Sequence, residues 1–90
     1  MKTNNEIEIE IFLKVSNAIK YTIEELKDIL TITFKDNLIY YYMNDYSFIV
    51  DITLKYEDDK LKILKFEDSN NLETATDFKT FDKYLKFLTN

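Results

Sequence analysis

The chain contains no glycine and no proline. Every tight reversal must therefore be made by other residues, and among these Asn and Asp best tolerate left-handed backbone. The candidate turns are Lys35-Asp36-Asn37, Asn44-Asp45-Tyr46-Ser47 and Glu57-Asp58-Asp59-Lys60. Between them lie β-branched, aromatic and aliphatic runs at 31–34 (TITF), 38–43 (LIYYYM), 48–56 (FIVDITLKY) and 61–66 (LKILKF). Such runs, separated by Asn/Asp turns, predict an antiparallel meander of hairpins.

The stretch ahead of the meander, EIEIEIFLKV (Glu6–Val15), alternates strictly at first. A period of two predicts a half-buried strand, with Ile7, Ile9, Ile11, Leu13 and Val15 inward and Glu6, Glu8, Glu10, Phe12 and Lys14 outward. Thr22 and Glu25 then stand at capping-box spacing, and Ile23, Leu26 and Leu30 share a face. This predicts a short helix over about 23–30, with an extension back towards Asn17 as the alternative. Beyond 69–76 (SNNLETAT), Phe78, Phe81, Leu85 and Leu88 recur at helical spacing with Lys79, Lys83 and Lys86 outside. A C-terminal helix follows from that spacing, and its late lysines suit the helix dipole. The expected fold class is α+β: a single antiparallel sheet of four to five strands with a short helix after strand 1 and a C-terminal helix. One domain spans 1–90, with 1–5 as a flexible lead.

Composition narrows the functions. Apolar residues are 46% of the chain and aromatic residues 16%, enough to build a core in so small a domain and unlike a disordered tail. With no Cys there are no disulfides or thiolate metal sites, and with no His the commonest acid/base group and metal ligand are missing. Ser16, Ser47 and Ser69 lack the usual activating partner, so no catalytic residue is expected. The acidic turn Glu57-Asp58-Asp59, with Glu67 and Asp68, has no calcium-loop pattern and reads as an ordinary charged turn; no metal and no cofactor are expected. All twelve positive charges are lysines, and the bias toward Lys, Asn, Ile, Tyr and Phe points to an AT-rich genome, bacterial, viral or plasmid-borne.

A net charge of −5 opposes direct nucleic acid binding and binding to anionic membrane. The tyrosines Tyr40, Tyr41, Tyr42, Tyr46 and Tyr56 could stack on bases, but 38–43 contains no lysine to anchor phosphates. No apolar run is long enough to span a bilayer and no signal-peptide centre is present, so a cytoplasmic location is expected.

If 44–47 closes a hairpin that pairs Met43 with Phe48, Tyr41 meets Val50 and Ile39 meets Ile52 on one apolar face. On the other face Tyr42 meets Ile49, Tyr40 meets Asp51 and Leu38 meets Thr53. A two-residue turn at Asp58-Asp59 adds Leu64 and Phe66 to that second face and sets Lys55 opposite Lys62. The middle of the sheet is then apolar on both sides. Either the helices cover opposite faces, or both lie on one and the second face binds something.

Glu6, Glu8 and Glu10 on a strand would be spaced by about 6.6–6.8 Å, close to the spacing of phosphates along one nucleic-acid strand, on the order of 6–7 Å. The row would then either mimic a phosphate backbone, extended by Glu24, Glu25 and Asp28, or serve as a solvated face that discourages aggregation. Two function classes result. One is a non-enzymatic acidic inhibitor that docks on a protein partner with a basic surface, a nucleic-acid-handling enzyme, with Tyr40 and Tyr42 as apolar anchors. In size, charge and coding bias it is similar in general character to phage-type anti-defence proteins, such as anti-CRISPR or anti-restriction proteins, and to nuclease immunity proteins. The alternative is a homodimer, a structural or accessory protein that assembles through an apolar sheet face.

Overall fold

The computed structural model describes residues 1–68 and 78–89. Its elements are α1 (Asn4–Ile19), α2 (Ile23–Ile29), β1 (Leu30–Lys35), β2 (Leu38–Asp45), β3 (Phe48–Glu57), β4 (Lys60–Asp68) and α3 (Phe81–Thr89). The four strands form one antiparallel sheet in the order β1-β2-β3-β4. The fold is α+β, with a meander, a short helix and a C-terminal helix as the sequence pattern predicts. The approach at 69–76 lies outside the described residues.

Glu6–Val15 is a helix and not a strand. The alternating pattern hides a second period: Ile7, Ile11 and Val15 are four apart, which also places them on one helical face. Local chemistry decides between the two. Thr3, in extended backbone, accepts from the Glu6 N–H (3.2 Å), and the Glu6 carboxylate accepts from the Thr3 N–H (3.0 Å). That capping box satisfies two orphan donors and nucleates the helix. Ile7, Ile11 and Val15 are buried, whereas Ile9 and Leu13 are left 59% and 52% exposed. With no glycine to end the helix, Lys20 takes the left-handed position (φ 63°), and its N–H reaches the Ser16 carbonyl at 3.1 Å. Thr22 and Glu25 then form a second capping box, which starts α2.

Asp36 and Asn37 (φ 54° and 63°) close the first hairpin; Asp58 and Asp59 (φ 56° and 59°) close the third. Positive φ at both central residues is what a type I′ turn between twisted strands demands. The middle hairpin turns on Tyr46 and Ser47 alone, so Asp45, not Met43, pairs with Phe48. This register differs by two residues from the one expected, and a slip of two preserves the faces. Tyr41 meets Ile52, Tyr42 meets Asp51 and Tyr40 meets Thr53. Lys55 does stand opposite Lys62.

β4 departs from the expected pattern at a bulge. Leu54 pairs with Ile63 and Thr53 with Lys65, which leaves Leu64 as the extra residue. One inserted residue exchanges the faces of everything after it. Phe66 therefore turns to the core, where its ring lies 4.9 Å from that of Tyr84, instead of joining Leu64 on the outer side.

All three helices share one core with the sheet. Ile7, Ile11 and Val15 of α1, Leu26 of α2, and Phe81, Tyr84 and Leu85 of α3 cluster with Ile39, Tyr41, Met43, Val50, Ile52, Leu54 and Leu61. Each fully buried aliphatic side chain of this set contributes about 1.5–3 kcal/mol. Thr80 opens α3 by accepting from the Lys83 N–H (3.3 Å). Lys14 of α1 meets Asp82 of α3 at 2.6 Å. The helices thus lie on one face of the sheet, and among the described residues no element covers its other face.

Candidate functional site

The open face is read row by row from the strand register. Thr31, Tyr42, Asp51 and Glu67 stand side by side across β1, β2, β3 and β4; Thr33, Tyr40, Thr53 and Lys65 form the next row. Tyr40 and Tyr42 are exposed on this face, at 36% and 40%, and so is Ile49. The face is polarised. Around Tyr42 it carries Asp51 and Glu67, whereas towards the far ends of the strands it carries Lys35, Lys55 and Lys62. That lysine end is partly neutralised from within: Glu57 meets Lys62 at 2.8 Å and Lys55 at 3.1 Å. These lysines, Lys62 first, hold the Glu57 carboxyl below the usual carboxylate range.

On the β1 side, Tyr42 also borders an open cleft of about 600 Å³, lined by Tyr21, Glu25, Asp28, Ile29, Thr31, Asn44, Asp45 and Tyr46 as well. Its geometry follows from α2 running straight into β1. The helix stands beyond the first residue of β1, beside the end of the longer β2, so its acidic side flanks Tyr42. The Tyr21 hydroxyl donates to Asp45 and ties the approach to α2 onto the tip of β2. That bond, together with burial, raises the Tyr21 pKa and keeps the phenol protonated. One carboxylate oxygen of Glu25 accepts from the Thr22 N–H (3.0 Å), which holds Glu25 below the usual range and ionised at neutral pH. Tyr46 is fully exposed at the hairpin tip.

Of the residues expected to bind a partner, Glu25, Asp28 and Tyr42 come together at this cleft. Tyr40 is the next residue along the same face. Glu24 is nearly fully exposed on α2 and pairs with Lys27 at 3.3 Å. Glu6, Glu8 and Glu10 do not form a row. On a helix successive residues two apart are turned by about 200°, so the strand spacing that would match phosphates does not arise. Glu6 caps α1, Glu8 is half-buried, and Glu10 pairs with Lys2 and lies 3.9 Å from Lys14.

Asp45, Tyr46, Asp51 and Glu67 complete this end of the face and were not among the residues expected to bind a partner. Asp51 and Glu67 come beside Tyr42 only through the true register and the bulge, neither of which periodicity specifies. Among the described residues, no group of three acidic side chains is arranged to hold a metal ion. Comparisons with family models, with curated proteins and with solved structures find no match.

Proposed function

We propose that the protein is a non-enzymatic acidic binding protein that docks on the basic surface of a nucleic-acid-handling enzyme and inhibits it. This is the working mode of anti-CRISPR, anti-restriction and nuclease immunity proteins. The reading rests on one observation: an exposed tyrosine, Tyr42, stands among Glu25, Asp28 and Asp45 on one side and Asp51 and Glu67 on the other. An aromatic anchor ringed by carboxylates suits a lysine- or arginine-rich surface: the ring supplies buried area and a π face, and the charges supply orientation and fast encounter. Phosphate mimicry through residues 6–10 is no part of this reading, since those residues are helical.

A homodimer buried through the open face is the weaker alternative. Thr31, Thr33, Asp51, Thr53 and Lys55 interrupt the apolar surface there.

The test is capture from lysate of the native source on immobilised wild-type and Tyr42→Ala/Asp51→Asn protein, with washes of rising salt. A nucleic-acid-processing enzyme that binds the wild type, is released by salt, is inhibited by the free protein and ignores the variant supports the proposal. An enzyme that is inhibited equally by the variant removes this surface from it.

A further inference from the structure

The two edges of the sheet are finished differently. β4 carries Lys60, Lys62 and Lys65 and is broken by the bulge at Leu64. Ahead of the bulge it is partly covered: the Ile63 N–H donates to the Lys79 carbonyl (2.9 Å), and Lys62 bridges Thr80. Lysines, bulges and covering segments are the means by which proteins keep a sheet edge from pairing. Among the described residues, β1 has neither a bulge nor a cover. Its sequence, LTITFK, is regular and rich in strand-forming residues, and its one charge, Lys35, stands at the end. β2 is its one neighbour in the sheet, so its outer backbone groups point away from any described strand.

That strand is complementary to itself. Laid antiparallel on a second copy about a two-fold axis through Ile32, it opposes Leu30 to Phe34 of the second copy, Ile32 to Ile32, and Thr31 to Thr33. Apolar side chains then meet on the helix-covered side, where Ile32 and Phe34 are half-buried in a single protomer. Threonines meet on the open side. No like charges are opposed, and Lys35 runs on to Ile29 of the second copy, next to the opposite charge of that copy's Asp28.

We propose that the protein is a two-fold homodimer joined through β1, with one continuous sheet made from two four-stranded halves. The edge finishing explains why such an assembly stops at two. Pairing β1 with a neighbour's β4 would propagate without closing, and β4 is the protected edge. A two-fold axis perpendicular to the sheet also keeps both acidic ends on the same open face. This inference stands whether or not the proposed inhibitor function is right.

The experiment is sedimentation velocity across a concentration series on the wild type and two double variants, Thr31→Lys/Thr33→Lys and Thr31→Lys/Thr33→Glu. Both threonines are exposed and face Tyr42 and Tyr40 within their own protomer, so either variant fits the monomer fold. Across the two-fold, the first variant opposes like charges twice and the second opposes unlike charges twice. The expected result is a wild-type dimer, a dissociation constant at least about tenfold higher for the double-lysine variant, and one at or below wild type for the charge-swapped variant. A wild-type protein that is monomeric throughout, or a dimer indifferent to the difference between the two variants, overturns the proposal.

Discussion

Helix α1 and strand β2 are both built on short runs of repeated residues, and they bury them by different rules. In β2 Tyr41 is wholly buried while Tyr40 and Tyr42, on either side, are exposed. In α1 Ile7 and Ile11 are buried while Ile9, two residues from each, faces outward. The strand sorts neighbours by parity, the helix by a spacing of four. Side-chain type therefore says little here about cost of replacement; the backbone that presents the side chain decides it.

The contrast is sharpest in β2. Tyr41 packs edge-on against Phe81 with ring centroids 5.5 Å apart, at the centre of the core. Tyr41→Ala is expected to cost about 3–5 kcal/mol, and Tyr42→Ala about 0.5 kcal/mol or less, both read by chemical denaturation. Equal costs would break the assignment of the two faces. In α1 the same test pairs Ile11→Ala, expected to cost about 2–5 kcal/mol, with Ile9→Ala, expected near zero. A strand at 6–15 would make both substitutions costly, so this pair separates the two backbones directly.

These regions also mark where the fold was legible in the sequence. The meander was, because with no glycine Asn and Asp are the residues that best furnish two-residue turns, and 36–37 and 58–59 do so; Tyr46 and Ser47 make the middle turn instead. The second capping box was legible too, at Thr22 and Glu25. The first, at Thr3 and Glu6, has the same spacing, but the alternation of Ile7, Ile9 and Ile11 masks it. A run of alternating residues contains a four-spaced subset, so period alone cannot exclude a helix; the cap had to be weighed with it. The site was legible in its parts. Tyr42, Glu25 and Asp28 stand out by type, but their meeting depends on α2 ending where β1 begins. Asp51 and Glu67 reach Tyr42 only through a two-residue turn at 46–47 and a bulge at Leu64, and no local pattern announces either.

A smaller effect of opposite sign sharpens the comparison of the tyrosines. Among the described residues the buried Tyr41 hydroxyl has no hydrogen-bond partner. Burial pushes its pKa well up, so the phenol stays neutral yet unsatisfied. Removing an unpartnered buried hydroxyl while keeping the ring relieves part of its desolvation cost, so Tyr41→Phe is expected to gain about 1 kcal/mol. Tyr40→Phe, with its hydroxyl in water, should change nothing measurable. A loss at Tyr41 would mean that its hydroxyl has a partner, and would remove the gain predicted here.

The helical assignment of α1 makes a further demand on its first residues. Thr3→Ala removes the oxygen that accepts from the Glu6 N–H and should cost about 1 kcal/mol. Thr22→Ala should cost a similar amount at α2. On a strand Thr3 would be an exposed residue ahead of the first pair, with no such cost.

The last and smallest effect is in pH. Backbone bonding to Thr3 and Thr22 lowers the folded-state pKa values of Glu6 and Glu25, respectively. For a carboxyl depressed on folding, the linked stability is fully present above its unfolded value, about 4.3. It disappears as pH falls through the lower folded value, because the unfolded chain takes up protons first. Glu6→Gln/Glu25→Gln keeps the geometry of both caps, since a glutamine oxygen also accepts from backbone, but removes their titration. Thermal unfolding followed from neutral pH down to pH about 3 should show a shallower acid decline in the variant than in the wild type. Glu57, also depressed, remains to titrate in both. An identical decline in the two proteins would mean that neither cap is linked to folding, and α1 would lose the feature that sets it apart from the strand its alternating residues suggest.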